Sequence, residues 1–266
     1  MISDSGLHGE FARSIHRQFM RAVSEYRLFS ANDRICVCLS GGKDSMLLAV
    51  LFREYEKHGD IPIRVRYLAM NPGYSERNLR LLGRNAEELD IPVEVFDTEI
   101  FKHTEKADNA CFLCSKMRRG HLYSKARELG CNKIALGHHF DDVIASTLMG
   151  MIYGGQTQTM LPKLKAQNYA GMELIRPLYL IRERDIIKWK NYNKLEFLKC
   201  ECALSKQEII TKRAEITELI ARLEAENPQV PMNIFRSVHN VRLDRIISYK
   251  DKAGEHSFLD DYDESQ

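Results

Sequence analysis

Apolar positions along this chain follow two alternating patterns. Short runs rich in small and β-branched residues occur at Arg34-Ile35-Cys36-Val37-Cys38-Leu39, at 64–70, at 92–96 and at 132–137, and they read as strands. Between them, apolar residues recur at steps of three and four, the spacing of one helix face. Phe11, Ile15, Phe19, Ala22, Val23 and Tyr26 place a helix over 8–28. Further helices are expected from the end of the first strand to about 56, and over 75–89, 115–129, 138–153 and 182–194. Asn32-Asp33, Gly59-Asp60-Ile61-Pro62, Asn71-Pro72-Gly73 and Gly154-Gly155 separate them. The stretch from 154 to about 173 reads as irregular. Beyond 205 the chain is helical and highly charged, and the residues after Gly254 read as a mobile acidic tail.

Strands alternating with helices at this spacing predict an α/β fold, a parallel twisted sheet with helices on both faces. The expected division is a nucleotide-binding and catalytic domain over 1–205 and a small helical extension over 206–266. Ligands of such sheets sit at the carboxyl ends of the strands.

Composition narrows the class. Apolar residues make up 44% and charged residues 29% of the 266, which is globular composition. The net charge of +2 does not by itself argue for nucleic acid. No apolar run is long enough to span a bilayer, and the first residues lack the pattern of a signal peptide. A cytoplasmic protein with no membrane contact is therefore expected. Seven cysteines in a reducing compartment point away from a disulfide framework, so clustered cysteines suggest metal or catalytic use.

Ser40-Gly41-Gly42-Lys43-Asp44-Ser45 lies between the first strand and an apolar helix. Its glycines let backbone approach a ligand closely, and its N–H groups open a helix N-terminus, a ready anion site. Lys43 adds a charge suited to phosphate, and Asp44 a carboxylate suited to Mg²⁺. The Walker A spacing is absent. A second cluster is Cys111-Phe112-Leu113-Cys114, followed by Lys116, Arg118 and Arg119. A redox pair, a zinc half-site and part of an iron–sulfur site all start from such a pair. Cys200-Glu201-Cys202 is the other cysteine cluster, since Cys36, Cys38 and Cys131 lie in or beside apolar runs and read as small core residues. A third cluster, Gly137-His138-His139-Phe140-Asp141-Asp142, ends a strand and opens a helix. There two carboxylates and two imidazoles can bind a metal or position a nucleotide phosphate, or Asp141 and Asp142 merely complement the helix dipole.

The loop string resembles that of the PP-loop ATP pyrophosphatases. The full series of loop, CxxC with a basic helix, GHHxDD, Tyr153-Gly154-Gly155, Ile175-Arg176-Pro177-Leu178 and a late cysteine pair resembles the tRNA 2-thiocytidine synthetases of the TtcA/TtuA group over about 10–205. That resemblance implies an adenine nucleotide alpha hydrolase-like fold that cleaves ATP to AMP and pyrophosphate. It implies that Ser40, Gly41, Gly42, Lys43, Asp44, Ser45, Gly137, His138 and Asp142 bind the nucleotide, with Asp44 on Mg²⁺. Cys111 and Cys114 would hold a [4Fe–4S] cluster, with a third ligand at Cys202 or Cys200 and Cys202 the expected one. The catalytic set is then Asp44, Cys111, Cys114 and Cys202. The implied reaction adenylates a pyrimidine C2 oxygen in tRNA, a cytidine of the anticodon loop, and replaces it with sulfur. The sulfur comes either from a species on an open iron or from a cysteine persulfide. Implied partners are tRNA, a sulfur donor such as a cysteine desulfurase or sulfide, and a second subunit in a homodimer. Phe140 departs from the group, where Arg is common, and the chain after 205 matches no pattern of it.

RNA contact would draw on Lys116, Arg118, Arg119, Lys163, Lys165, Arg176, Arg182 and Arg184, each of which also reads as a solvated helix or loop residue. The rival readings are a thiouridine or lysidine type of PP-loop enzyme, an amidotransferase, a nucleotide-sensing regulatory protein, and a cluster-dependent thiobase desulfidase. The intact loop weighs against the last, and the cysteine pairs against the sensor.

Overall fold

The computed structural model describes residues 6–98, 100, 110–197, 208–260 and 262, with the backbone alone for 110–116 and 208–211. A six-stranded sheet runs in the order β3-β2-β1-β4-β6-β5. Its strands are β1 (Arg34–Leu39), β2 (Arg64–Asn71), β3 (Val93–Asp97), β4 (Lys133–Ala135), β5 (Lys163–Lys165) and β6 (Glu173–Ile175). All neighbours pair in parallel except β5, which closes the β6 edge antiparallel. The helices are α1 (Arg17–Glu25), α2 (Lys43–His58), α3 (Glu76–Glu88), α4 (Ala110–Glu128), α5 (Phe140–Gly154), α6 (Glu183–Tyr192), α7 (Glu208–Glu226) and α8 (Val230–Ser237).

Side chains alternate across a strand, so β1 feeds two cores. Ile35, Val37 and Leu39 pack with Phe19 of α1, Leu47 and Phe52 of α2, Leu82 and Ala86 of α3, and Ile186 and Trp189 of α6. Cys36 and Cys38 face the other way, with Leu68, Ile134, Leu174, and Tyr123 and Ala126 of α4. The sheet thus carries helices on both faces, as the strand–helix alternation predicts. Cys36, Cys38 and Cys131 are buried free thiols within the second core, which matches their reading as small core residues.

Several elements differ from expectation. The N-terminal helix opens with a π-helical turn over Ala12–His16, in which the His16 N–H donates to the Phe11 carbonyl at 3.2 Å. α4 begins at Ala110, five residues before the apolar pattern suggested. The stretch read as irregular holds β5, and β6 begins where it ends; β6 pairs with β4 and β5 with β6, and neither is marked by a local apolar period. In the extension, Phe140, Val143 and Ile144 of α5 meet Ile216 and Ile220 of α7 and Phe235 of α8, with Tyr179 beside them. The last residues begin with a strand, β8 (Glu255–Ser257), paired antiparallel with β7 (Ser248–Lys250), where a mobile tail was expected.

Candidate functional site

From β1 the chain moves outward through β2 and β3, then crosses to β4 on the other side of β1. That reversal between β1 and β4 is the topological switch point, where a crevice opens outside the carboxyl ends of the strands. Residues 40–45 follow β1 and residues 136–142 follow β4, so the topology brings both clusters to this crevice.

Gly41 adopts φ +78°, a left-handed conformation that favours glycine. Ser45 Oγ donates to the Gly42 carbonyl at 3.0 Å and accepts from the Ser40 N–H at 3.1 Å, which fixes the loop around the start of α2. Tyr74 Oη donates to the Ser40 carbonyl at 3.3 Å. A Cβ on Gly137 would lie 3.0 Å from the Ser45 nitrogen, so the two loops meet backbone to backbone only because residue 137 is glycine.

The charged groups interlock. Lys43 Nζ reaches Asp44 Oδ1 at 3.2 Å and Glu183 Oε1 at 2.8 Å. His139 Nε2 lies 3.9 Å from Asp44 Oδ1 and 3.6 Å from Asp142 Oδ2. Asp142 Oδ2 also accepts the His139 N–H at 2.9 Å, so its helix-capping role is real alongside any ligand role. Asp141 accepts from the Glu183 N–H at 2.7 Å and from Arg182 Nε at 3.1 Å. Arg182 continues to Glu224 of α7 at 2.9 Å, and Arg213 of α7 pairs with Asp142.

Burial pushes the Asp44 carboxyl above its ordinary value, against the opposing pull of His139 and Lys43. Burial also pushes Asp142 up, but His139, its N–H and Arg213 outweigh that and hold the carboxyl low. Burial works against a charged Lys43, yet Glu183 and Asp44 raise its value overall.

Asp44 Oδ1 is buried and accepts no directed hydrogen bond despite the nearby lysine. A hard cation fits such an oxygen. Among the described residues no group of His, Cys, Asp and Glu forms a complete metal cage. One carboxylate with phosphates and water is, however, the usual Mg²⁺ arrangement.

Of the expected nucleotide-site residues, the structure brings the 40–45 loop, Gly137 and Asp142 together. Of the two histidines it is His139 that approaches Asp44, while His138 Nδ1 is buried without a hydrogen-bond partner. Sequence reasoning took His139 only as part of the cluster and Arg182 only as a candidate RNA contact, and it missed Glu183 and Arg213 as members of this site. His139 lay inside the recognised string, while the others are joined to it only by long-range contacts. Arg182 and Arg184 bind Glu224, and Lys163 binds Glu173 at 3.2 Å, so these cations do not form a free row for RNA.

The Cys200 and Cys202 positions, and the side chains of Cys111 and Cys114, lie outside the described residues. The backbone does place α4. Its 19 residues span about 28 Å and its carboxyl end feeds β4, so its first turn returns to the carboxyl edge of the sheet. Positions 111 and 114 are one turn apart there, on one face.

The chain matches the family model of the PP-loop domain over residues 11–222. It is 34% identical over 237 residues to a tRNA-cytidine(32) 2-sulfurtransferase of Coxiella burnetii, covering 86% of this chain and 90% of the relative. It is 35% identical over 236 residues to a tRNA-cytidine(32) 2-sulfurtransferase 2 of Francisella tularensis, covering 86% and 92%. Among solved structures it resembles the U34-tRNA thiolase NcsA of Methanococcus maripaludis with its [4Fe–4S] cluster. That match has a TM-score of 0.67 at 24% identity over 89% of this chain and 80% of the other, a likeness of fold.

Proposed function

The chain belongs to the PP-loop domain family and, within it, to the tRNA-cytidine(32) 2-sulfurtransferases, and from that premise we propose that it is an ATP-dependent tRNA sulfurtransferase acting on a cytidine C2 oxygen. The observation that carries this reading is the meeting of the 40–45 loop with Gly137 and Asp142 at the switch point, with one Asp44 oxygen left without a hydrogen bond.

A pyrimidine C2 oxygen is a poor leaving group as hydroxide. Attack of that oxygen on the α-phosphorus of ATP expels pyrophosphate and makes the later leaving group AMP. The N–H groups of Gly41, Gly42 and the first turn of α2 would receive the pyrophosphate charge. Lys43, held by Glu183, would stay protonated beside it. Mg²⁺ on Asp44 would neutralise charge on the phosphates. His139 and Arg213 would hold Asp142 ionised at the edge of the site. A sulfur nucleophile then replaces AMP at C2.

Cys111 and Cys114, with Cys202 or Cys200, would hold a [4Fe–4S] cluster that supplies the sulfur chemistry. What supports this reading for Cys111 and Cys114 is that α4 opens at the same edge of the sheet as the loop. Sulfide or a cysteine desulfurase would supply the sulfur. The test is anaerobic incubation of the purified protein with tRNA, ATP, Mg²⁺ and sulfide, followed by mass spectrometry of the nucleosides. The expected products are 2-thiocytidine and AMP in equal amounts. AMP without thionucleoside, or 2-thiouridine alone, would refute the assignment.

A further inference from the structure

Arg176 is a buried charged group that the reaction outlined above leaves unused. It follows β6 directly, and Leu136, at the end of β4, donates its N–H to the Ile175 carbonyl at 3.0 Å. Arg176 therefore lies beside the 137–139 turn, two strand spacings, about 10 Å, from the end of β1. It is 8% exposed. Its Nη1 donates to the Leu161 carbonyl. Its Nε is buried without a hydrogen-bond partner, and among the described residues no carboxylate pairs with it.

A buried guanidinium without a counter-charge is costly, so such a group calls for a ligand. With Nη1 engaged, the remaining Nε–Nη2 edge is a planar fork of two donors. The group is close enough to Tyr123, Tyr179, Arg119, His138 and Asp142 for their charges to couple, but the Asp142 carboxylate is engaged by Arg213 and His139 and makes no ion pair with it. Its setting is thus partly aromatic and largely dry. A planar neutral ring with two adjacent acceptors suits that setting better than a solvated phosphodiester. Cytosine presents such a pair at O2 and N3, whereas uracil carries a hydrogen on N3.

Resting on the proposed sulfurtransferase function, we propose that Arg176 reads the target base, donating from Nε and Nη2 to the O2 and N3 edge of cytosine and thereby excluding uracil. This places the reacting O2 against a fixed donor, at the strand ends beside the nucleotide loop.

The test uses the cluster-loaded protein and anticodon stem-loop RNAs carrying cytidine, uridine or 3-deazacytidine at the target position. Arg176→Lys is expected to lower the cytidine-over-uridine ratio of kcat/KM by about five- to 150-fold, the range of a bidentate base contact. Affinity for an ATP analogue should not change. In the unaltered protein 3-deazacytidine, which lacks the N3 acceptor, should lose a comparable factor, and in Arg176→Lys it should lose little more. That substrate arm stands even if the variant fails to fold: full activity of the unaltered protein on 3-deazacytidine overturns the proposal. So does an equal loss for cytidine and uridine with a salt dependence reduced by one phosphate contact, which would make Arg176 a phosphate ligand. If the unaltered protein thiolates no RNA, the sulfurtransferase reading fails instead.

Discussion

At the scale of single residues, the site depends on which polar atoms are left available. Asp44 has one oxygen near Lys43 and His139 but without a directed hydrogen bond, in a setting that disfavours its charge. Asp44→Ala should reduce pyrophosphate release at least about 100-fold while the circular dichroism spectrum stays unchanged; ATP turnover at the original rate would remove Asp44 from the mechanism. His138 is a neutral imidazole. Burial, and then the charge of Arg176, hold its pKa down at about 4 against an ordinary value of 6.5. The unfolded chain therefore binds this proton at a higher pH than the folded chain does, and stability falls as the pH drops from 6.5 towards 4. His138→Gln should flatten that limb of a urea stability profile. An unaltered slope would show that other groups govern it. The loop was legible because its chemistry lies in one contiguous string, and each residue's role follows from its type. Which of the two histidines comes near Asp44 was not legible, because it depends on how the 137–139 turn sits against Ser45.

At the scale of elements, strands and helices with a full apolar period were read correctly, and short ones were not. β5 and β6 carry three residues each, too few to show a period, and only β6 is held by β4, with β5 added on β6. The start of α4 was placed late because its first residues, Ala110-Cys111-Phe112-Leu113-Cys114, are apolar without a helical period, although Asn109 before them is a favoured cap residue. Least legible was α7, whose importance lies in charges rather than periodicity. It joins the GHHxDD turn through Arg213 to Asp142, and through Glu224 to Arg182 and so to Asp141. These partners lie 71 and 42 residues apart in sequence, and 41 for the last step. The two bridges should differ in strength. The Arg182 side chain is 18% exposed and joins two carboxylates, whereas that of Arg213 is 42% exposed. Arg182→Ala should cost about 2 kcal/mol or more of unfolding free energy, and Arg213→Ala about 1 kcal/mol or less. Equal losses in denaturant titrations would show that burial does not set their ranking.

At the scale of the whole molecule, the sheet gathers at one edge what the sequence spreads from Ser40 to Arg176. The nucleotide loop follows β1, the His-Asp turn follows β4, Arg176 follows β6, and α4 returns its first turn to that edge. The cysteines can be tested directly. Cys111→Ala and Cys114→Ala should each abolish the brown iron–sulfur absorption near about 400 nm. Cys202→Ala should do the same, while Cys200→Ala keeps a substantial part of both iron and thiolation. Normal iron in Cys202→Ala with loss in Cys200→Ala would exchange the two assignments. The central claim is that the nucleotide site activates the base oxygen itself, and an isotope measures that most directly. An RNA with ¹⁸O at the target cytidine O2 is thiolated anaerobically, and the released AMP is weighed. Adenylation of that oxygen predicts one ¹⁸O in each AMP formed with a thionucleoside. Thiolation that yields unlabelled AMP, with the ¹⁸O lost to water, would contradict it.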